Sequence, residues 1–237
     1  MKFSAILASV SAAAQAATLT PRDDRPISVP TTKPVDAIVV PKNFVGFGIE
    51  SAFFTAFNNN FSSNLVTALA DRMGAPPVIR VGGTGGDYLK FNPDQKEAAV
   101  CREGERDAEC GSHLAGYTLG PSFFDTFRDR FKNARFIVQA PLNNPVNMTN
   151  SLAYVTKAWE ALGGGDRVEA IALGNEVEFI YKGGQADAYV KAALEIQDSI
   201  VKKLGLGGET AAIFEAGNTA SGSVKSPNDP ERPSYKV

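Results

Sequence analysis

The chain has 237 residues, 43% hydrophobic and 21% charged, with a formal net charge of −2. That is ordinary globular composition, long enough for one large domain or two small ones. The near-neutral balance and the lack of a basic run exclude the electrostatic footprint of a protein that binds nucleic acid or an anionic membrane.

The first residues read as a secretory leader over positions 1–17. Met1-Lys2 supplies a short positive region, Phe3 to Ala14 is apolar or small, and Ala14-Gln15-Ala16 fits a small-x-small cleavage site. The stretch is too short to span a bilayer, and no later segment reaches the needed apolar length, so a secreted, extracellular protein without a membrane partner is expected. Residues 18–42, rich in Pro, Thr and charge, read as a surface arm with one extended strand, Asp36 to Val40.

From Phe44 onward, short apolar runs alternate with amphipathic stretches. The runs are Phe44–Glu50, Pro77–Gly83, Arg135–Ala140, Val168–Gly174 and Ala211–Glu215. Between them the spacing predicts helices over Ser62–Met73, with Leu65, Leu69 and Met73 on one face and Ser62 or Ser63 as cap. Further helices are expected near Ser122–Phe131, over Ser151–Leu162 after Asn150, and over Gln185–Leu204. The aromatic groups Phe53, Phe54, Phe57 and Phe123, Phe124, Phe127 read as packing residues.

Five strand–helix alternations predict a parallel sheet with helical crossovers. A doubly wound sheet and a (β/α)8 TIM-type barrel both fit that pattern. Four repeats separate Glu50 from Glu215, a pitch of about 41 residues, so eight would need roughly 330. The expectation is therefore an α/β chain of barrel type over residues 43–218, truncated after about five βα units. The polar stretch 219–237 reads as a disordered tail.

Cys101 and Cys110 bracket a charged loop, and in an exported protein they are expected to close one disulfide. Two thiols and the single histidine, His113, leave few donors for a metal, so no metal or cofactor is expected; His113 reads as an ordinary surface residue. Asn60-Phe61-Ser62 and Asn147-Met148-Thr149 are glycosylation triplets.

Parallel α/β folds bind ligands beyond the C-terminal ends of their strands. Here those ends carry Glu50, then Gly82-Gly83-Thr84-Gly85-Gly86-Asp87, then Gln139 to Asn144, then Gly174-Asn175-Glu176, then Glu215. Two carboxylates suffice to hydrolyse a glycosidic bond, one protonating the leaving oxygen and the other attacking the anomeric carbon or activating water. Glu176 is the candidate acid, with Asn175 placed to bond a sugar 2-hydroxyl. The glycine-rich turn lacks both the P-loop ending and the dinucleotide spacing. It reads as backbone approaching a sugar closely, with Arg80 and Asp87 paired to hold Gly82 and Gly83 in place. No Gly-x-Ser-x-Gly elbow occurs.

The blocks Gly46-Phe47-Gly48-Ile49-Glu50 with Phe53-Phe54, Ile79-Arg80-Val81-Gly82-Gly83-Thr84-Gly85-Gly86-Asp87-Tyr88, and Leu173-Gly174-Asn175-Glu176 resemble glycoside hydrolase family 79, the fungal β-glucuronidases and heparanase. The likeness runs from about Pro41 to Glu215. It implies a (β/α)8 barrel with an attached β-sandwich, and retaining hydrolysis of β-linked uronic acids. It assigns Glu176 as acid/base, Asn175 as its sugar-contacting neighbour, and Glu50 and Thr84 to positions facing the sugar. The family usually has Pro after the catalytic Glu, whereas Val177 stands here. It also places its nucleophile at the end of the seventh strand, which this chain is expected to lack; Glu215 is a lesser candidate for that role. The expected partner is a carbohydrate. Little hydrolysis is expected from the 237 residues alone, and a non-catalytic secreted carbohydrate-binding fragment is the alternative.

Overall fold

The β-branched and aromatic residues of each apolar run alternate with residues that face the other way, and this alternation builds a parallel sheet. A computed structural model describes residues 31–101, 117–182 and 185–220. Within it, β1 (Gly46–Glu50), α1 (Asn60–Met73), β2 (Val78–Gly82), α2 (Thr84–Tyr88), β3 (Lys90–Phe91), β4 (Ala99–Cys101), β5 (Tyr117–Leu119), β6 (Arg135–Ala140), α3 (Met148–Ala161), β7 (Val168–Leu173), α4 (Ala186–Leu204) and β8 (Phe214–Glu215) follow in chain order. The leader, the second cysteine of the expected disulfide, His113 and residues 221–237 lie outside the described residues, so the disulfide and most of the tail do too.

Two units are distinct. In the first, residues 31–39 form a turn closed by a bond from Ala37 N to Pro34 O. The strand expected over Asp36–Val40 is not formed, since no neighbouring chain pairs with it among the described residues.

The second unit holds the sheet, in the order β1-β2-β6-β7-β8 with every pair parallel. Strands are added in chain order from one edge to the other. A doubly wound sheet would reverse at a switch point, whereas this order is compatible with an α/β barrel. Register fixes what faces where. Ile49, Val81, Val138, Ile171 and Phe214 pair across all five strands in one row. The next residue along each strand points to the opposite face, and there Glu50 pairs with Gly82, Gln139 with Ala172, and Ala172 with Glu215.

The apolar row packs against an aromatic layer. Phe54 is fully buried, with ring centroids 4.4 Å from Phe127 and 5.5 Å from Phe123. Residues Ser51–Phe57 form a 3-10 helix, whose three-residue turn sends Ser51 and Phe54 inward; Phe53 and the terminal Phe57 are exposed. The expected packing stripe is thus one ring. The helix expected over Ser122–Phe131 is instead a 3-10 turn, Pro121–Phe124, followed by a wider π turn, Thr126–Arg130. Tightening and then loosening leaves Phe123, Phe124, Phe127 and Phe131 all buried.

Helix ends moved outward from the sequence reading because asparagines cap them. Asn59 accepts from Ser62 N and starts α1, and Asn147 accepts from Asn150 N and starts α3. In α1 the buried side chains are Ser62 and Val66, while Leu65 is exposed. In α4, Tyr189, Ala193, Ile196 and Ile200 form the buried stripe, and Gly205 ends the helix in the left-handed region. The excursion after β2 holds a small sheet, β3-β5-β4, that the sequence reading did not anticipate. Asn150, expected as a cap, pins it instead by accepting from Phe91 N and donating to Leu89 O.

Candidate functional site

Beyond the C-terminal ends of β2, β6 and β7, Arg80, Asp87, Gln139 and Asn175 form one hydrogen-bonded cluster. Gln139 is the hub. It is fully buried. Its Oε1 accepts from Gly83 N at 2.8 Å and from Arg80 Nη2 at 3.1 Å, and its Nε2 donates to Gly83 O and to Asp87 Oδ1. All of its amide hydrogens are therefore used. The close fit explains the glycines. A Cβ on Gly82 would sit 2.4 Å from Gln139 Oε1, and one on Gly86 would sit 2.8 Å from its amide nitrogen.

Gly83 has φ +95, and a Cβ there would lie 1.8 Å from Glu50 Oε2. Glu50 packs onto that bare backbone and accepts from Gly85 N at 3.1 Å. Burial pushes its carboxyl above the ordinary value, opposed by backbone donors from Ser51, Gly85 and Ala52 and by the field of Arg80. Ser51 closes the same corner by donating to Gly82 O. Thr84 is exposed at the first turn of α2.

Arg80 and Asp87 do not form the expected direct pair. The Nη2 of Arg80 donates to Gln139 and, at 3.0 Å, to Asn175 Oδ1. Asp87, 1% exposed, instead accepts from Gln139 Nε2, from Leu142 N and from Asn175 N at 3.2 Å. Gln139 thus stands between the two charges and bonds both.

Burial outweighs those donors and lifts the Asp87 carboxyl from its ordinary 3.8 to about 7. The folded state then binds this proton more tightly than the unfolded chain does. The stability it contributes is whole below about pH 4 and is lost as pH rises through about 7. Denaturant titrations across that window are expected to show a falling slope in the wild type that Asp87→Asn lacks; parallel slopes would refute the shift.

Glu176 follows directly. It is half-buried with φ 44 and ψ 47, the one non-glycine residue of positive φ among the described residues. Such a conformation costs about 1–3 kcal/mol and persists where the surroundings over-determine it. They do so here. Gly174 turns at φ +83, Asn175 is held by both Asp87 and Arg80, and the next residues form a 3-10 turn, Val177–Phe179. Val177 N donates to Asn218 O at 3.2 Å. A proline at that position has no N–H and could not make this bond, so the departure from the resembled motif has a local use.

The segment after β8 forms the opposing wall. Gly217 N donates to Tyr189 Oη, Asn218 Nδ2 donates to Gly174 O, and Ala220 N donates to the buried Glu178. Between this wall and the Asn175 loop lies an open cleft of about 420 Å³ lined by Arg80, Asn175, Glu176, Gly217, Asn218 and Thr219. Glu50, Thr84, Asp87 and Glu215 are outside that lining.

The structure therefore brings Arg80, Asn175 and Glu176 to one cleft and sets Gly82, Gly83 and Asp87 behind it as support. Sequence reasoning placed Gln139 at a strand end without giving it a role, and missed Glu178. Gln139 had a legible signal, a lone amide following the apolar run Phe136–Val138 of its strand. Among the described residues no cluster of three or more His, Cys, Asp or Glu is placed to hold a metal.

No protein-family model matches the chain. Two curated fungal proteins named beta-glucuronidase are similar to it. The Neurospora crassa protein is 32% identical over 170 residues, 67% of this chain and 29% of its own length. The Aspergillus niger protein is 34% identical over 174 residues, 68% of this chain and 30% of its own length. The chain thus spans under a third of the curated relatives it matches. A solved structure, a 4-O-alpha-L-rhamnosyl-beta-D-glucuronidase from Fusarium oxysporum 12S, superimposes with a TM-score of 0.61 at 23% identity, covering 75% of this chain and 39% of that one.

Proposed function

We propose that this chain carries the acid/base segment of a secreted, retaining, β-glucuronidase-like glycoside hydrolase of family 79. Similarity to two β-glucuronidases supports the substrate class, and the solved glucuronidase supports the fold. The observation that carries the reading is the strained turn at Glu176, which lines a cleft with Arg80 and Asn175.

In this reading Glu176 protonates the glycosidic oxygen as the bond breaks and later takes a proton from water. Asn175 has its Oδ1 occupied by Arg80, which leaves its Nδ2 to donate to the sugar 2-hydroxyl. Among the described residues Arg80 bonds through Nη2, so its Nε and Nη1 hydrogens are proposed to face an anionic sugar. A retaining partner carboxylate must stand about 5–5.5 Å from the acid. Among the described residues Glu176 is the one carboxylate lining the cleft, so the nucleophile is assigned elsewhere in the catalytic protein. Export is read from the leader. Asn60 and Asn147, both exposed, are the proposed glycan sites, with the Asn147 Oδ1 still capping α3.

The test is titration of the isotope-labelled chain with glucuronic acid. Perturbation of the Arg80 side chain and of the Asn175–Glu176 amides is the expected result. Resonances that do not move at high millimolar sugar would sink the reading. The single carboxylate in the cleft also favours a second reading, a carbohydrate-binding protein without catalysis. That reading predicts the same perturbation, with no turnover in any longer form of the protein.

A further inference from the structure

Three strand ends converge on one buried carboxylate. Asp87 sits on the short α2 after β2, yet the hydrogen bonds to its carboxylate come from the ends of other strands. Its Oδ1 accepts from Gln139 Nε2 at 3.0 Å and from Leu142 N at 3.4 Å, both at the end of β6, and its Oδ2 accepts from Asn175 N at 3.2 Å, at the end of β7. Every one of these contacts donates to it. The ionised carboxylate, with lone pairs on both oxygens, accepts all three at once. The amide of Asn175 immediately precedes the left-handed turn of Glu176.

We propose that Asp87 is the positioning residue of the acid/base loop: its carboxylate holds the Asn175 backbone amide and so sets the turn that aims Glu176 into the cleft. The role of Glu176 rests on the reading above, but the hold on Asn175 does not. Asn175 is then gripped twice, by Asp87 through its backbone and by Arg80 through its side chain. With the amide plane fixed on one side and the Oδ1 on the other, the loop has little freedom to rotate Glu176 out of the cleft.

The same arrangement makes the hold depend on protonation. A proton on Asp87 finds donors on every side, so adding it removes an acceptor from one of them. The raised carboxyl places that step near neutrality. The charged group facing Asp87 is Arg80, which favours ionisation. Tyr88, Tyr117, Tyr181 and Tyr189 also sense Asp87, and burial pushes each above its ordinary value, so they stay neutral across this range. Glu50 titrates against Gly85 N instead, which gives it a separate reporter. The Asp87 step is identified by substitution.

Asp87→Asn is the informative variant. Its volume is unchanged, but one oxygen becomes an NH2 donor. The remaining oxygen prefers the side with two donors, Gln139 and Leu142, and the new NH2 then faces Asn175 N. At pH 8 the Asn175 amide is expected to exchange with solvent about ten- to a hundred-fold faster in the variant, the range for losing a hydrogen bond to a charged group. Amides within β7, such as Ala172, are expected to keep their rates. In the wild type, the Asn175 and Leu142 amide shifts are expected to titrate together near pH 7, and the variant is expected to lose that step. An Asn175 exchange rate unchanged in the variant, or wild-type shifts flat from pH 5 to 9, overturns the proposal. If the variant does not fold, the wild-type titration alone decides. Glucuronic acid that perturbs nothing while the titration holds overturns the sugar assignment and leaves the hold by Asp87 standing.

Discussion

Glu176→Gln is expected to lower hydrolysis of an unactivated β-glucuronide by about 10²–10⁴-fold, the usual contribution of a positioned general acid. The comparison belongs in a form of the protein that turns the substrate over. The substitution swaps an oxygen for an NH2 of nearly the same size, so the backbone turn at φ 44 and the Arg80–Asn175 bond are untouched. Binding of glucuronic acid is therefore expected to persist while turnover collapses, the signature of an interaction made only in the transition state. Leaving-group dependence sharpens the test. A dinitrophenyl leaving group departs without a proton, so the variant's deficit should shrink steeply on that substrate. It should stay large on an alkyl glucuronide. Equal losses on both substrates would mean that Glu176 acts on something other than the leaving oxygen, and wild-type rates on the alkyl substrate would remove it from the chemistry.

The strand ends that build this cleft were legible because each apolar run stops at a polar or glycine residue, and parallel strands present such stops on one side. That is how the positions of Glu176 and of the turn after β2 at strand ends were read. Sequence could not choose between a doubly wound sheet and a barrel; the pairing adds a strand order, β1-β2-β6-β7-β8, that is compatible with a barrel. The partners of Arg80 were illegible for a related reason. Charge alone suggested Asp87, a few residues away, whereas the folded chain inserts Gln139 from a strand 59 residues on. A buried amide that accepts from one group and donates to another has no local pattern. The helix starts at Asn60 and Met148 failed by a narrower margin, because several Ser and Asn residues in a row all suit a cap and only tertiary placement selects one. The small β3-β5-β4 sheet has strands of two or three residues, too short for alternation to register.

Gly83→Ala is expected to cost about 3 kcal/mol, from a left-handed backbone that disfavours a side chain and from overlap with Glu50. For a chain of this size that is a fall of roughly 6–12 °C in Tm. The two causes are separable. At φ +95 the strain belongs to the backbone and remains whatever surrounds it, whereas the 1.8 Å approach belongs to Glu50 Oε2. Removing that side chain in Gly83→Ala/Glu50→Ala should recover the overlap part, so the double variant should be less destabilised than the sum of the singles by about 1 kcal/mol or more. Glu50→Ala alone frees the Gly85 amide from its acceptor and so carries a cost of its own. Additive costs would mean that Glu50 swings away from the new methyl without penalty, and the diglycine turn would then be needed for its backbone conformation alone. A recovered increment would mean that the bare α-carbon of Gly83 exists to seat the Glu50 carboxylate, which packs there because no side chain occupies the space.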